Sequence, residues 1–319
     1  MGRFFESGFS FRGLLAAAGF LALLATVAGW YGEYAWWLDG CAHFRALYVA
    51  IFALLAIAHA LERRWLFALG AGGLAVVNLA PLKPYLIDAI PPRHGPAPDG
   101  ATRAMMINVN TSFGDASRVA AAIRIERPDI LLLLEVDRRW LERLKPELAR
   151  FPNQLTEPRG DNFGIALFSR LPWADARVVV LGEAGLPSVL ARVSAGQGRV
   201  WIFGTHAPPP MGRRMWALRN GHLSELARQL RGMEGPLVVL GDLNATPWSY
   251  HFGRLMDSAG LDDSARGRRL MGTWPVFARP FSIPIDHCLL RGGIVVHGRR
   301  HGPDVGSDHL PVIVDFTPE

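Results

Sequence analysis

Apolar residues run almost unbroken through the first 90 positions, then split into short bursts separated by polar turns. Three stretches dominate the first part: Leu14–Trp30, which carries no charge, Ala46–Leu61 and Trp65–Leu82. Each approaches the roughly 20 apolar residues that a bilayer core requires. Leu14–Trp30 has no polar face, which argues against a buried helix of a soluble bundle. Residues 1–90 are therefore read as a membrane module of about three transmembrane helices. Trp30, Tyr31, Tyr34, Trp36 and Trp37 gather where the first span ends, as an interfacial aromatic belt does. Arg3 and Arg12 precede the first span, and Arg63-Arg64 form the turn between the second and third. Positive-inside logic puts the N-terminus and that turn in the cytoplasm, so three spans deliver the rest of the chain to the periplasm or cell exterior. Two alternatives stand beside this: a signal peptide cleaved near Thr26-Val27-Ala28, and three helices of a soluble core. His43 and His59, near the span ends, are expected to reach toward the interface.

Proline density at 91–100 blocks both helix and sheet pairing, so this segment reads as a semi-rigid linker. From Ala101 onward the period changes. Strands are predicted at Ala104–Val109, Ile130–Glu135, Gly164–Phe168, Val178–Leu181, Val189–Val193, Val200–Thr205, Leu237–Gly241, Ile285–Leu290, Ile294–His297 and Leu310–Phe316. Helices are predicted at Ser117–Glu126, Arg139–Ala149, Gly212–Arg231 and Tyr250–Ser258. Many strands with fewer helices imply an α/β domain over 101–319, two packed β-sheets with helices outside.

Polar residues fall at telling places in this pattern. Asn108, Glu135, His206, Asp242, Asn244, Asp286, Asp308 and His309 each lie at or just past one end of a predicted strand. Turn chemistry explains any one of them, but strand ends on one sheet edge converge in space, and together they can line a cleft. Composition adds less. The chain of 319 residues has a formal charge of +6, almost all of its cations being Arg, with Lys only at Lys83 and Lys145. That suits an anionic partner or a membrane-attached protein equally well. Cys41 and Cys288 sit in different modules, which speaks against a disulfide framework or a cysteine metal site.

Four phrases, Met106-Ile107-Asn108-Val109-Asn110, Leu133-Leu134-Glu135-Val136, Gly241-Asp242-Leu243-Asn244 and Ser307-Asp308-His309-Leu310-Pro311, occur in this order. Gly204-Thr205-His206 with Pro208, and Pro284-Ile285-Asp286-His287, support them. Together they resemble the endonuclease/exonuclease/phosphatase superfamily, with its deoxyribonuclease I-like fold, over essentially all of 101–319. The resemblance implies a four-layer α/β sandwich and Mg²⁺-dependent hydrolysis of a phosphate ester, with Mn²⁺ as a substitute ion. Its implied metal ligands are Glu135 first, then Asn108 and Asp308. Asp242 and Asn244 would position the attacking water and a phosphate oxygen. His309, held by Asp286, would act as general base or as a transition-state hydrogen-bond donor, and His206 would contact the phosphate or protonate the leaving group. Relatives often carry Gln where this chain has Leu134, a departure that touches substrate choice more than chemistry.

Asn110 reads as a residue of the site's edge, and Asn162 as a substrate-loop or turn residue. Side-chain alternation points His287 away from Asp286, and Trp140, Trp201, Trp216 and Trp274 read as packing residues. The expected protein is a multi-pass cell-membrane phosphoesterase facing the periplasm or exterior, in contact with the lipid bilayer and with no protein partner predicted. Its substrate would be nucleic acid, phospholipid or a phosphorylated small molecule. The alternative is a non-catalytic membrane receptor or scaffold that keeps the fold.

Overall fold

A computed structural model describes residues 11–86, 98–196, 198–268 and 272–319. Most of the proline-rich 91–100 segment lies outside these residues. The chain divides into two compact units, Met1–Lys83 and Pro84–Glu319.

The first unit contains α1 (Phe11–Gly29), α2 (Trp36–Ala42), α3 (Arg45–Leu61) and α4 (Trp65–Leu79), followed by a 3-10 turn and the one-turn helix α5 (Lys83–Leu86), which runs on into the second unit. α2 falls on the predicted aromatic belt and meets α3 at a 60° bend. Among the described residues two helices are long and apolar enough to cross a membrane, or three if the bent pair counts as one span. The burial pattern is inverted relative to a water-soluble bundle. Leu21, Leu24, Leu66 and Leu69 face outward, whereas Thr26, Asp39, His43, Arg45 and Asn78 are buried. Arg45 lies 4.5 Å from the centre of the Trp30 ring and 3.5 Å from Asn78 Oδ1, and Asn78 Nδ2 donates to Thr26 Oγ1 at 3.0 Å. His43 is thus an interior residue and does not reach outward as expected: its ring lies 3.9 Å from the Asp39 carboxylate.

The second unit is a sandwich of two six-stranded sheets. One is built from β1 (Thr102–Asn108), β2 (Ile130–Leu134), β3 (Asn153–Glu157), β4 (Ile165–Ser169), β11 (Ile294–His301) and β12 (Val312–Pro318), in the order β11-β12-β1-β2-β4-β3. The other uses β5 (Trp173–Leu181), β6 (Leu186–Ala195), β7 (Gly198–His206), β8 (Leu237–Asp242), β9 (Asp262–Asp263) and β10 (Asp286–Arg291), in the order β5-β6-β7-β8-β10-β9. Period-2 alternation sorts the layers. Ala104 and Met106 of β1 join Val238 and Leu240 of β8 in the core between the sheets. Met105 and Ile107 instead pack under α6 (Ala116–Glu126) and α7 (Arg138–Leu148). Leu237 and Val239 pack under α8 (Gly212–Arg231) and α9 (Tyr250–Ala259). The result is the expected four-layer α/β sandwich. The sheets approach closely at Gly204, where an added Cβ would stand 2.5 Å from Leu132 Cδ1 and 2.6 Å from Val189 Cγ2.

β1 and β2 are parallel, as are β7 and β8, while β10 and β12 run antiparallel to their neighbours β8 and β1. The C-terminal ends of β1, β2, β7 and β8 therefore share one edge of the sandwich with the start of β10 and the loop before β12.

Candidate active site

That shared edge collects the polar residues singled out from the sequence. Asn108 ends β1, Glu135 follows β2, His206 ends β7 and Asp242 ends β8. Asp242 is flanked in register by His206 on one side and Asp286 on the other, so one row across three strands carries three of these side chains. Asn108 joins the sheets: its Nδ2 donates to Glu135 Oε1 at 2.9 Å and to Asp242 Oδ2 at 3.2 Å. His309 Nδ1 meets Asp286 Oδ2 at 2.9 Å. Its Nε2 stands 3.7 Å from Asp242 Oδ2, and His206 Nε2 lies 3.5 Å from the same oxygen. The backbone N–H of Asn244 donates to Asp242 Oδ1 at 2.9 Å, and its side-chain amide donates to the Ala207 carbonyl at 2.9 Å. Asp308 accepts from Asn110 Nδ2 at 2.7 Å on one oxygen and from Trp274 Nε1 at 2.9 Å on the other. All the predicted site residues thus come together at one edge, with Asn110 as a fixed part of it.

Backbone strain marks the same place. Glu135 has φ +61°, Asn110 +51° and Asn244 +47°. Asn tolerates this left-handed region, but a glutamate there costs of order 1–3 kcal/mol and persists only where surroundings hold it. Thr111 supplies part of that hold, donating its hydroxyl to the Glu135 carbonyl at 2.6 Å.

The electrostatics follow from burial of many acids beside few cations. Burial and the neighbouring Asp286 charge push Asp242 well above the usual aspartate range. Burial likewise raises Glu135, assisted by Asp308 and opposed by the Asn108 hydrogen bond. Burial alone would pull His309 down, but the carboxylates of Asp286, Asp242 and Asp308 outweigh it and push the imidazole up to about 10. Asp286 moves the other way: burial would raise it, yet the charge and hydrogen bond of His309 hold it below its ordinary value. His206, fully enclosed beside His309, is pushed down to about 3, chiefly by burial.

A cation fits this donor set. Glu135, Asp242, Asp286 and Asp308 crowd their carboxylates around His309, with His206 kept neutral beside them, and burial together with neighbouring carboxylates raises Asp242 and Glu135. Asp242, Asp286 and His309 also place ligand-type atoms within 4.8 Å of one another. His309 is already engaged with Asp286, so the oxygen-rich side at Glu135, Asn108 and Asp308 is better suited to a hard ion.

Behind the site sits a second buried polar cluster. Arg299 of β11 reaches across to the other sheet, pairing with Asp263 Oδ1 at 3.1 Å and donating to the Asp286 carbonyl oxygen at 3.1 Å. His287 points away from Asp286, as alternation predicts, and its Nε2 meets the Ala245 carbonyl at 2.8 Å. Its Nδ1 lies 3.9 Å from Asp263 Oδ2. Arg219, wholly buried in α8, donates to the Asn244 carbonyl at 2.9 Å. Sequence reasoning passed over Arg299, Asp263 and Arg219, and it assigned Trp274 to packing, whereas the indole N–H holds Asp308. No local signal distinguishes these residues from surface charges or core aromatics.

A two-sheet α/β sandwich with a strained acidic edge and a carboxylate-held imidazole defines a class of hydrolytic site. The model of the Endonuclease/Exonuclease/phosphatase family matches residues 107–309, and the chain belongs to that family, whose members act on phosphoester bonds. Among solved structures, the human Nocturnin catalytic domain with bound sulfate is similar at 20% identity and TM-score 0.56, over 70% of this chain and 96% of that one. An endonuclease/exonuclease/phosphatase from Bacteroides vulgatus is similar at 19% identity and TM-score 0.57, over 69% and 99%. Sphingomyelinase C from Streptomyces griseocarneus is similar at 16% identity and TM-score 0.51, over 67% and 99%. No curated protein sequence matches the chain.

Proposed function

We propose that the protein is a membrane-anchored, Mg²⁺-dependent phosphoesterase whose catalytic unit faces the periplasm or cell exterior. The observation that carries the chemistry is the joining of two half-sites. Asn108 bridges Glu135 of one sheet and Asp242 of the other, beside the His309–Asp286 pair. Glu135 and Asn108 would hold the ion, with Asp308 adding charge beside them. Mg²⁺, or Mn²⁺ in its place, supplies neutralisation of the anionic ester when bound.

The chain's own residues do the rest. Asp286 fixes the His309 ring, leaving Nε2 directed toward Asp242 and available to donate to a phosphate oxygen. Asp242, held by the Asn244 backbone, is placed to accept a proton from an attacking water. Asn244 offers an amide to a phosphate oxygen, and His206, kept neutral by burial, contacts the phosphate or the leaving oxygen. Anchoring is supported by apolar helices with outward-facing leucines and a polar interior, the arrangement expected where lipid is the solvent. The side of the membrane rests on the positive-inside reading of Arg12 and Arg63-Arg64.

The test is hydrolysis by the full chain in nanodiscs, in Mg²⁺ or EDTA, of supercoiled plasmid, short-chain phospholipids and phosphorylated small molecules. Mg²⁺-dependent turnover lost in His309→Ala is expected. Turnover that survives both EDTA and His309→Ala on its best substrate would remove the proposal.

A further inference from the structure

Asp308 holds more than the catalytic edge. Two loops hang on it, and each ends in an outward-facing phenylalanine. On one side Asn110 donates to Asp308 Oδ1, and the Phe113 backbone N–H returns to the Asn110 carbonyl at 3.2 Å. On the other, Trp274 donates to Asp308 Oδ2, and the Val276 backbone N–H donates to the Asp308 carbonyl at 2.9 Å, one residue before Phe277. Phe113 and Phe277 are 82% and 86% exposed, in a unit whose other large apolar residues are mostly buried. Water-facing aromatics grouped at one mouth mark a binding surface.

They share a cleft of about 650 Å³ with Val276 and Arg279, whose floor is Asn110 and Asp308 themselves. Arg118, also on its wall, is neutralised by Asp115 and Asp304. Arg279 is exposed and has no ion pair among the described residues. The cleft therefore offers two apolar rings and one unspent positive charge, and it shares Asn110 and Asp308 with the candidate site. A ligand whose phosphate sat at His309 and Asp242 could extend past Asp308 toward those rings.

Resting on the phosphoesterase reading, we infer that the substrate is an amphiphile: a phosphate ester bearing a long apolar chain, with Phe113 and Phe277 gripping the chain and Arg279 an anionic oxygen. Charge complementarity selects the occupant. A wholly apolar ligand would leave Arg279 unsatisfied, and a small phosphorylated metabolite would leave both rings in water. A chain emerging from a bilayer satisfies both, in a protein that also carries membrane-type helices. Each buried methylene adds favourable transfer free energy, so even a half-open cleft separates long chains from short ones clearly.

The experiment uses the full chain in nanodiscs with Mg²⁺ and a series sharing one leaving group: methyl, butyl and octyl p-nitrophenyl phosphate below their aggregation limits. The expected result is a kcat/KM rising about tenfold or more from methyl to octyl. Phe113→Ala/Phe277→Ala should flatten that rise and leave the methyl ester within about twofold, and Arg279→Ala should raise KM for all three. Equal rates along the series, or a rise the double variant keeps, overturns the inference and leaves the phosphoesterase reading standing. Faster cleavage of single-stranded DNA, lost in the double variant without any chain-length effect, would reassign the rings to base stacking and also overturn it. A second readout is independent of turnover: protection from thermal unfolding by octyl phosphate against inorganic phosphate. Protection specific to octyl phosphate and lost in the double variant, in a protein that hydrolyses nothing, would uphold the amphiphile site and remove the phosphoesterase reading. No protection and no turnover would remove both.

Discussion

Two buried clusters in the catalytic unit are built from the same residue types and lie back to back on β10. At the front, Asp242, Asp286 and His309 meet with Glu135 and Asp308 close by; at the rear, Asp263 meets His287 and Arg299. Charge balance separates them. At the rear a guanidinium offsets the carboxylate, and Asp263 is held below its ordinary range: burial would raise it, but the His287 ring 3.9 Å away and the Arg299 charge prevail. At the front the acids outnumber the cations: burial, with Asp286 and Asp308 adding to it, raises Asp242 and Glu135, and the cluster is left with an unmet demand for positive charge. An acid-imidazole cluster is a scaffold when neutralised from within and a site when neutralised from outside.

The largest expected effect lies at the front. His309→Ala should lower the best substrate's rate by about 10²–10⁴, measured under conditions where circular dichroism shows the variant folded. The rear cluster should answer oppositely. Arg299→Met leaves Asp263 buried and unpaired, and urea unfolding should show a loss of about 3–5 kcal/mol, much of it recovered in Arg299→Met/Asp263→Leu. If the single variant folds as well as the parent, the rear pair is not the scaffold described here.

Acid titration of stability separates the clusters next. His206 has a depressed pKa of about 3, so the unfolded chain takes up its proton first. Stability falls from about pH 6.5 toward 3 by roughly 1.4 kcal/mol per unit at most. His222, pushed down to about 4 by burial, adds a slope of the same sign, so His206→Gln should remove only the His206 share in EDTA. Asp263 is also depressed but is an acid, so its contribution is complete above the ordinary aspartate value and is lost only as pH falls below about 4. The smallest effect isolates backbone strain. Glu135→Ala and Glu135→Gly should both abolish turnover, yet the glycine variant should be more stable by about 1 kcal/mol, because only glycine is at ease at this φ.

How much of this was legible beforehand varied with the kind of residue. The polar edge of the candidate site was readable because Asn108, Glu135 and Asp242 interrupt apolar runs where strands end, and six phrases in order cannot all be chance turns. The sheets were readable for the same reason, except at their margins. β3 has a single apolar residue, Leu155, among polar ones, too little for an apolar signature over Asn153–Glu157, and β9 is only two residues long. Arg299 and Asp263 lie 36 positions apart, and an Arg-Arg pair on an edge strand reads as solvated charge until the opposite sheet is placed over it. His43 misled for a related reason: proximity to a helix end predicts exposure only if nothing packs over that end.

Asn108 has one further consequence. Its amide touches a carboxylate from each sheet, so it acts as a gauge of the gap between the two layers. A substitution that spreads or shrinks that gap, such as one at Gly204 two residues behind His206 in the layer between the sheets, should alter the distance between Glu135 and Asp242. Interior volume thereby becomes a setting of the catalytic geometry, and core variants that fold normally are a route to tuning turnover without altering a single polar group.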